Sequence, residues 1–249
     1  MKLHAVTIKT HPHPHPKSMN KLALLTVPAL AVLAAGSAHA AVVIPVSITA
    51  FHQGDSLAGN GSTLKTIDGS GMNKVDAGDP TTWTVGSIAW QDDWQGFATP
   101  SPNGTWAVLD LGSSTPLLDK MYLWNVQENA PGGWENRGMN GFNVHYATSP
   151  TVTPPATSGT ATPYDFSSGG WTSLGGFNLA IGTGIGDAGE SFDVSAAAGA
   201  QYIGIEITSN HGGNRSGFAE VAFTTIPEPG SIALLLGGGL LGLLRRHRR

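Results

Sequence analysis

The segment Gln201-Tyr202-Ile203-Gly204-Ile205-Glu206-Ile207-Thr208-Ser209 alternates between large apolar residues and small or polar ones. Side chains along a β-strand point alternately to its two faces. The three isoleucines therefore share one face, and the glycine, glutamate and threonine share the other. This pattern predicts a strand with one face in a hydrophobic core.

Similar short segments recur between residues 41 and 226, where helical periodicity is absent. Turn-forming Gly, Asn, Asp, Ser and Pro residues separate them, and two connections, 51–104 and 148–170, are long. Several short strands at this spacing predict an all-β domain, built as a two-layer sandwich or jelly roll. The predicted strands are 42–50, 105–111, 118–124, 141–148, 190–194, 201–209 and 218–224.

The first forty residues have the features of an export signal. An apolar stretch at 22–35 is followed by Ala38-His39-Ala40, the small-x-small pattern that a signal peptidase recognises. We therefore expect residues 1–40 to be a signal peptide whose true start is Met19. Cleavage would leave Ala41 as the new N-terminus.

The region 41–226 has five Lys and Arg residues against sixteen Asp and Glu residues, a net charge of −11. Nucleic-acid binding depends on Lys and Arg neutralising phosphates, so this charge argues against a nucleic-acid partner. The chain has no cysteine, which excludes disulfides and thiolate chemistry. An acidic, oxygen-rich surface suits a hard cation such as calcium.

The last 24 residues, 226–249, combine a Pro-Glu-Pro triplet, an apolar run at 231–244 and a terminal arginine cluster. The apolar run is just long enough to enter a bilayer core of about 30 Å, and the arginines would hold its end on the cytoplasmic side. Glycines within the run weaken a helix. A temporary anchor therefore fits better than a permanent one, although a simple membrane anchor stays as the alternative.

This order of features resembles the PEP-CTERM sorting signal of Gram-negative bacteria. The resemblance implies that Pro227, Glu228 and Pro229 are recognised by an exosortase-type protease while the tail is held transiently in the inner membrane. Arg245 and Arg246 begin the arginine cluster of the motif. The family also implies a setting of exopolysaccharide and biofilm.

A second resemblance depends on an ordered series of short motifs. In order and spacing they resemble the discoidin or coagulation-factor type C superfamily, the galactose-binding-like jelly roll also used by many carbohydrate-binding modules. The resemblance covers residues 41–225 and implies a jelly-roll β-sandwich. The motifs include Ile67-Asp68-Gly69-Ser70-Gly71-Met72, Trp106-Ala107-Val108-Leu109-Asp110-Leu111-Gly112, Tyr202-Ile203-Gly204-Ile205-Glu206 and Gly217-Phe218-Ala219-Glu220-Val221-Ala222-Phe223.

The same resemblance implies a structural calcium ion between the loop after the first strand and a carboxylate near the last strand. Asp68 and Glu220 match those two positions, and Asp76, Asp79 and Thr82 are nearby candidates. Calcium takes six to eight oxygen ligands, often from flexible loops. In the alternative, Asp68 caps a turn and Glu220 is a solvated strand residue.

Members of the superfamily bind ligands with loops at one end of the sandwich, using aromatic rings and a few polar groups. The ligand-binding residues that we predict are Trp134 and, in a second loop, His211, Asn214 and Arg215, with Asn129 in support. In the alternative, any of the tryptophans fills the core.

The sequence therefore predicts an exported, non-catalytic module that binds extracellular polysaccharide or mediates adhesion. Catalysis is not expected, because the region 41–226 has three histidines, no cysteine and no Gly-x-Ser-x-Gly motif. The alternative is a structural matrix or surface protein with protein partners and no dedicated sugar pocket.

Overall fold

Twelve β-strands and five short 3₁₀ helices occur in the residues that the computed structural model describes, namely 40–50, 62–96, 105–112, 116–148 and 164–227. The strands are β1 (Val42–Val43), β2 (Ser47–Ala50), β3 (Met72–Lys74), β4 (Trp83–Val85), β5 (Trp94–Gly96), β6 (Thr105–Asp110), β7 (Leu118–Asn125), β8 (Gly141–Ala147), β9 (Thr172–Asn178), β10 (Glu190–Asp193), β11 (Tyr202–Ile207) and β12 (Ser216–Thr225). The 3₁₀ helices are Thr63–Thr66, Pro80–Thr82, Trp90–Asp92, Glu135–Arg137 and Ser195–Ala197.

Most of the two predicted targeting segments lies outside the described residues. Residues 39–227 form a compact unit of their own. The predicted features that fall outside the described residues are the signal peptide up to residue 39 with Met19, the apolar run, and Glu228, Pro229, Arg245 and Arg246.

The strands pair into two five-stranded antiparallel sheets and a small hairpin. In sheet 1 the order is β1-β12-β7-β10, and β5 pairs with the start of β12. In sheet 2 the order is β2-β6-β11-β8-β9, and the hairpin is formed by β3 and β4. The prediction of an all-β jelly-roll sandwich is therefore confirmed.

The main core lies between the two sheets. Ile203, Ile205 and Ile207 of β11 are completely buried there, packed with residues of both sheets such as Leu109 and Val221. Burying an isoleucine side chain contributes about 1.5–3 kcal/mol. The alternation in the opening segment thus fixes which face of the central strand of sheet 2 enters the core.

Each sheet also has a covered outer face. On sheet 1 the β3–β4 hairpin brings Trp83 and Val85 against Trp124 and Ala222, and the two tryptophan rings stack with centroids 5.8 Å apart. On sheet 2 the segment 164–171 covers β6 and β11 with its own aromatic cluster. Polar residues on these outer faces are therefore shielded from solvent.

All seven predicted strands are present, with two differences of note. The predicted strand 42–50 is divided into β1 and β2, which belong to different sheets, and Pro45 lies between them. Proline has no amide proton for a ladder hydrogen bond, which favours a break there. Strands β3, β4, β5 and β9 were not predicted, because three are only three residues long and β9 contains two glycines.

We predict that Gly204→Ala lowers the free energy of unfolding by about 1–3 kcal/mol, because overpacking strains a close-packed site. A Cβ at Gly204 would overlap the ring of Phe166, which lies on the outer face of β11. Urea denaturation measures the change. In a Phe166→Ala background the same substitution should cost far less, and an equal cost in both backgrounds would contradict this packing.

Candidate functional site

Two loops meet at one end of the sandwich, one between β7 and β8 and the other between β11 and β12. Four backbone hydrogen bonds join them: the amide of Gly213 donates to the carbonyl of Asn136 (3.0 Å), that of His211 to Gly138 (3.3 Å), that of Met139 to Gly217 (2.9 Å) and that of Asn140 to Ser209 (2.8 Å). The two loops therefore form one surface, which we call the loop end (residues 126–140 and 208–217).

Arg137 is the centre of the loop end and is 9% exposed. Its Nη1 donates to Glu128 Oε2 (2.7 Å) and Gln95 Oε1 (3.4 Å), and its Nε donates to Asn214 Oδ1 (3.1 Å). The guanidinium also lies 4.2 Å from the centre of the Trp134 ring. A buried charged pair with these extra hydrogen bonds fixes the planar guanidinium in place.

Trp134 is the aromatic residue that this arrangement presents to solvent. It is 48% exposed, its amide donates to the carbonyl of Glu128 (2.8 Å), and Arg137 stacks on its ring through a cation–π contact. The adjacent turn is held by Glu135, whose carboxylate accepts the amides of Gly132 (2.6 Å) and Gly133 (2.7 Å). The indole ring is thus held in place by Arg137 and by the turn, and half of it is exposed. Such an aromatic surface is suited to packing against a sugar ring.

Arg215 differs from the other basic residues of the region 41–226. Among the described residues it has no ion-pair partner. Burial lowers the pKa of its guanidinium, the charge of Arg137 lowers it further, and the charge of Glu128 opposes the shift. A guanidinium without an ion-pair partner can donate hydrogen bonds to an anionic group of a ligand. The other four basic residues form the pairs Lys65–Asp68 (3.6 Å), Lys74–Glu220 (3.2 Å), Lys120–Asp193 (3.7 Å) and Arg137–Glu128 (2.7 Å).

The remaining predicted ligand-binding residues differ in their exposure and in their hydrogen-bond partners. Asn214 is exposed and is joined to Trp134 through Arg137. Asn129 is exposed, and its amide donates to the carbonyl of Ile88 (2.9 Å). The His211 imidazole is engaged through Nε2 with the carbonyl of Leu179 (3.0 Å). The ligand-binding roles of all five residues stay predictions.

Sequence reasoning missed the network of Gln95, Glu128 and Arg137 that supports this surface. Nothing in the local sequence links these residues, because Gln95 lies in β5 and reaches Arg137 only through the fold. Trp94, beside Gln95, is completely buried and packs edge-on against Phe218. It fills the core, as the alternative for the tryptophans anticipated.

The predicted calcium residues fall into two groups. Glu220 is completely buried on the outer face of sheet 1, where its Oε1 lies 3.2 Å from Lys74 Nζ and its Oε2 accepts the amide of Gly69 (3.2 Å). Lys74 also lies 4.0 Å from the centre of the Trp83 ring. Asp68 accepts the amide of Ser70 (2.7 Å) as a turn residue, in agreement with the alternative reading of that residue.

The other three residues lie in the turn after β3. Asp76 Oδ1 accepts the amide of Gly78 (2.8 Å), and Asp79 Oδ1 accepts the amide of Thr81 (3.0 Å). The Thr82 hydroxyl donates to the carbonyl of Asp79 (2.8 Å). The side chains of Asp76, Asp79 and Thr82 therefore form hydrogen bonds within the turn that contains them.

This arrangement does not fit a calcium ion held by all five residues. Within residues 62–96 and the other described ranges, no three Asp, Glu or His side chains come close enough to share a metal. Lys74 already supplies the positive charge next to Glu220, so calcium would have to displace its ammonium. Calcium binding stays a prediction. It depends on whether the ion can displace Lys74 from Glu220.

Two buried carboxyl groups have raised pKa values. Burial raises the pKa of Glu220 to about 7, although Lys74 and the Gly69 amide oppose the shift. Burial raises the pKa of Asp93 to about 8, and the nearby charges of Glu128 and Asp92 add to it. Asp93 is 2% exposed and accepts the amide of Gln127 (2.9 Å), so it faces the interior and not a substrate.

The C-terminal segment gave one match to a known family. Residues 225–249 match the family model of the PEP-CTERM protein-sorting motif. The chain ends in a PEP-CTERM motif. The motif indicates a protein sorted to the cell envelope or the extracellular space. Among the described residues, none of the helices has the length and apolar character needed to cross a membrane.

Several solved structures are similar to the domain. A SusE-like protein is 16% identical over 72% of this chain, with a TM-score of 0.45, and the chain covers only 64% of that protein. A family 32 carbohydrate-binding module of AlyQ, in complex with 4,5-unsaturated mannuronic acid, is 17% identical over 73% of this chain and 96% of its own, with a TM-score of 0.38. A family 32 module of Streptococcus pneumoniae EndoD is 10% identical over 74% of this chain and 99% of its own, with a TM-score of 0.39.

The matches also include enzymes, such as allantoicase. A search of the curated proteins found no match to this sequence.

We predict that Lys74→Met lowers the free energy of unfolding at pH 8 by about 2–3 kcal/mol, because it leaves a buried carboxylate without its partner. The figure is below that of a fully buried pair since the Lys74 side chain is 24% exposed. Adding Glu220→Gln should restore most of the loss, because an amide needs no counter-charge.

Lys120→Met is the matched control and should change stability little, because its partner Asp193 is exposed. In the wild type, a rise of several degrees in the melting temperature with calcium would show that the ion displaces Lys74 and would support the calcium prediction. No response to calcium or to a chelator would contradict it.

We expect the melting temperature to be higher at pH 6 than at pH 8.5. The raised pKa values of Glu220 (about 7) and Asp93 (about 8) mean that the folded state binds more protons than the unfolded state in this window, so stability is lost as pH rises. Asp93→Asn, which resembles the protonated acid, should reduce the difference. Asp165→Asn is the control, because Asp165 is exposed and its pKa is lowered by hydrogen bonds from Ser167; an unchanged difference in Asp93→Asn would refute the assignment.

Proposed function

We propose that this protein is an exported carbohydrate-binding module that contacts an extracellular polysaccharide with its loop end. The observation that carries the proposal is the Trp134 ring, 48% exposed and supported by Arg137. Arg215, which has no ion-pair partner among the described residues, lies near enough to Arg137 to feel its charge. An aromatic plate orients a sugar ring, and neighbouring polar groups select its substituents.

The loop end favours a sugar that bears an acidic group. The region 41–226 has a net charge of −11, yet Arg215 and Arg137 lie close together at this surface. Arg137 forms the ion pair with Glu128, whose charge also acts on Arg215. At physiological salt, charges more than about 8 Å away are screened. At the loop end the two arginines are matched by Glu128 and Glu135, whereas acidic residues outnumber basic ones in the region as a whole. An acidic sugar is therefore repelled less here, and a uronic acid unit would meet the Arg215 guanidinium directly.

The proposal is non-catalytic because the carboxylates at the loop end are already engaged. Hydrolysis of a glycoside needs an acid and a base or nucleophile on opposite sides of the bond. Glu128 is held by Arg137, Glu135 is held by the amides of Gly132 and Gly133, and Asp93 is buried. None of these three is presented to a bound sugar.

We also propose that an exosortase-type protease removes the tail after a transient stay in the inner membrane, in a biofilm or exopolysaccharide setting. The last regular strand ends at Thr225, and the amide of Ile226 donates to the carbonyl of Leu117 (2.8 Å). Pro227, the first residue of the triplet, is exposed. The recognition element therefore begins where the last strand has ended and at an exposed residue, which supports the proposed access of a protease.

We predict that Trp134→Ala weakens polysaccharide binding by about tenfold or more, since a central aromatic anchor carries much of the affinity at such a surface. Binding of residues 41–226 to a panel of acidic and neutral glycans, followed by calorimetry, measures it. Arg215→Gln should weaken binding to acidic glycans selectively.

Trp90→Ala is the matched control, because Trp90 is also 48% exposed, whereas the cation–π contact of Arg137 is with Trp134. Loss of binding in Trp90→Ala with normal binding in Trp134→Ala would move the site away from the loop end. A panel without any hit would favour the structural matrix protein with protein partners.

Replacing Arg245 and Arg246 by Gln should leave uncut precursor that is mislocalised, because the terminal positive charges would hold the tail on the cytoplasmic side. Immunoblots of cell fractions would show the larger species. The control is Arg215→Gln, which makes the same chemical change within the domain and should be processed normally. Normal processing of the tail variant would contradict the sorting proposal.

A further inference from the structure

An open cleft of about 550 Å³ lies on the outer face of sheet 2, away from the loop end. Its polar lining comes from His145 and Glu206, on neighbouring strands, and from Asp165, Ser167 and Ser173, and its aromatic lining includes Trp171. We call it the face cleft. No residue of the loop end lines it among the described residues.

Strand pairing explains why these residues meet. In the β8–β11 ladder Glu206 is opposite Asn143, and His145 is opposite Gly204. The alternation that sends the isoleucines of β11 into the core therefore sends Glu206 outward, next to His145. His145 and Glu206 are each only 8% exposed, because the segment 164–171 covers this face.

Phe166 fixes the position of the imidazole. Its ring stacks on His145 with centroids 4.6 Å apart and an interplanar angle of 9°. Gly204 lets it approach, since a Cβ there would overlap the ring. Trp171 packs edge-on against Phe166 at 5.0 Å, and its Nε1 donates to the hydroxyl of Tyr164 (2.8 Å). These contacts set the position of the imidazole in the cleft.

His145 has an unused hydrogen-bonding atom. Its Nε2 lies 3.3 Å from Glu206 Oε2, which also accepts Nδ2 of Asn143 (2.9 Å). Since a carboxylate oxygen accepts, Nε2 carries the proton in this contact, and Nδ1 is left as an acceptor in the neutral ring. Nδ1 is buried and has no partner among the described residues. Burial lowers the pKa of His145, which favours the neutral ring.

We propose that the face cleft is a second glycan-binding site, which takes a sugar ring rich in hydrogen-bond donors, either a neutral hexose or a hexosamine. The polar groups that it offers are mainly acceptors, namely the imidazole Nδ1 and the carboxylate of Asp165, and the carboxylate of Glu206, engaged by Asn143 and His145, adds negative charge. Sugar hydroxyls and an amino group supply the matching donors. A buried polar atom normally has a hydrogen-bond partner, and a bound hydroxyl would provide one for Nδ1.

The charge of the face cleft sets it apart from the loop end. Among the described residues its lining has two carboxylates and no Lys or Arg. A sugar acid would be repelled here and attracted at the loop end, where Arg215 and Arg137 lie. The two sites would therefore select different sugars, and their failures are independent of each other.

The test uses residues 41–226, which lie within the compact unit 39–227 and contain every strand of both sheets. Nitrogen NMR of the imidazole rings follows His145 directly, because the region has three histidines. Cellotetraose, a chitosan tetramer and tetragalacturonate are the added glycans. A shift of the His145 Nδ1 resonance with cellotetraose and the chitosan tetramer indicates ring hydroxyls as the recognised groups. A shift with the chitosan tetramer alone indicates the ammonium group, and supports the proposal equally.

Ser173→Trp should fill the cleft and weaken the binding of these glycans at least tenfold. Thr172→Trp is the matched control, because the neighbouring side chain on β9 points to the other face. Trp134→Ala should leave this binding unchanged. The proposal is overturned if no glycan shifts His145 Nδ1, if only tetragalacturonate does so, or if Ser173→Trp binds as the wild type.

Discussion

The register of strand β11 is the constraint on which most of this structure depends. Its isoleucine face enters the core, and its other face carries Gly204 and Glu206. A slip of one residue would exchange the two faces, and would bury a carboxylate among aliphatic side chains. Because β11 pairs with both β6 and β8, its register also fixes which residues of those strands face outward.

Buried charges connect the sheets to the elements around them. Arg137 joins a loop to β5 and to Glu128, and Lys74 joins the β3–β4 hairpin to Glu220 in β12. In both cases a cation of a connecting element reaches a carboxylate that is 8% exposed or less. A buried pair adds little net stability but is costly to break. The chain therefore pins its loops and hairpin with charge pairs in a domain without disulfides.

The parts of the fold that follow from local alternation could be predicted from the sequence. The isoleucines of β11 and the apolar series of β6, β8 and β12 predicted strands that are present. The three-residue strands β3, β4 and β5 could not be predicted, because their pairing depends on partners distant in the chain. Lys74 illustrates the same limit for the sites: its importance depends on Glu220, 146 residues away. The nearness of Trp134 to Asn214 was predictable only through the family resemblance.

Strand β12 runs the length of sheet 1, from Ser216 beside the loop end to Thr225. At its far end Thr225 pairs with Ala41: the Thr225 amide donates to the Ala41 carbonyl (2.9 Å), and the Ala41 amide donates to the Thr225 hydroxyl (3.1 Å). Ten residues of strand span about 33 Å. The two ends of the domain therefore lie together at one pole of sheet 1, and the candidate ligand surface lies at the other. The domain could thus be joined to a neighbour at the first pole while its loops stay open at the second.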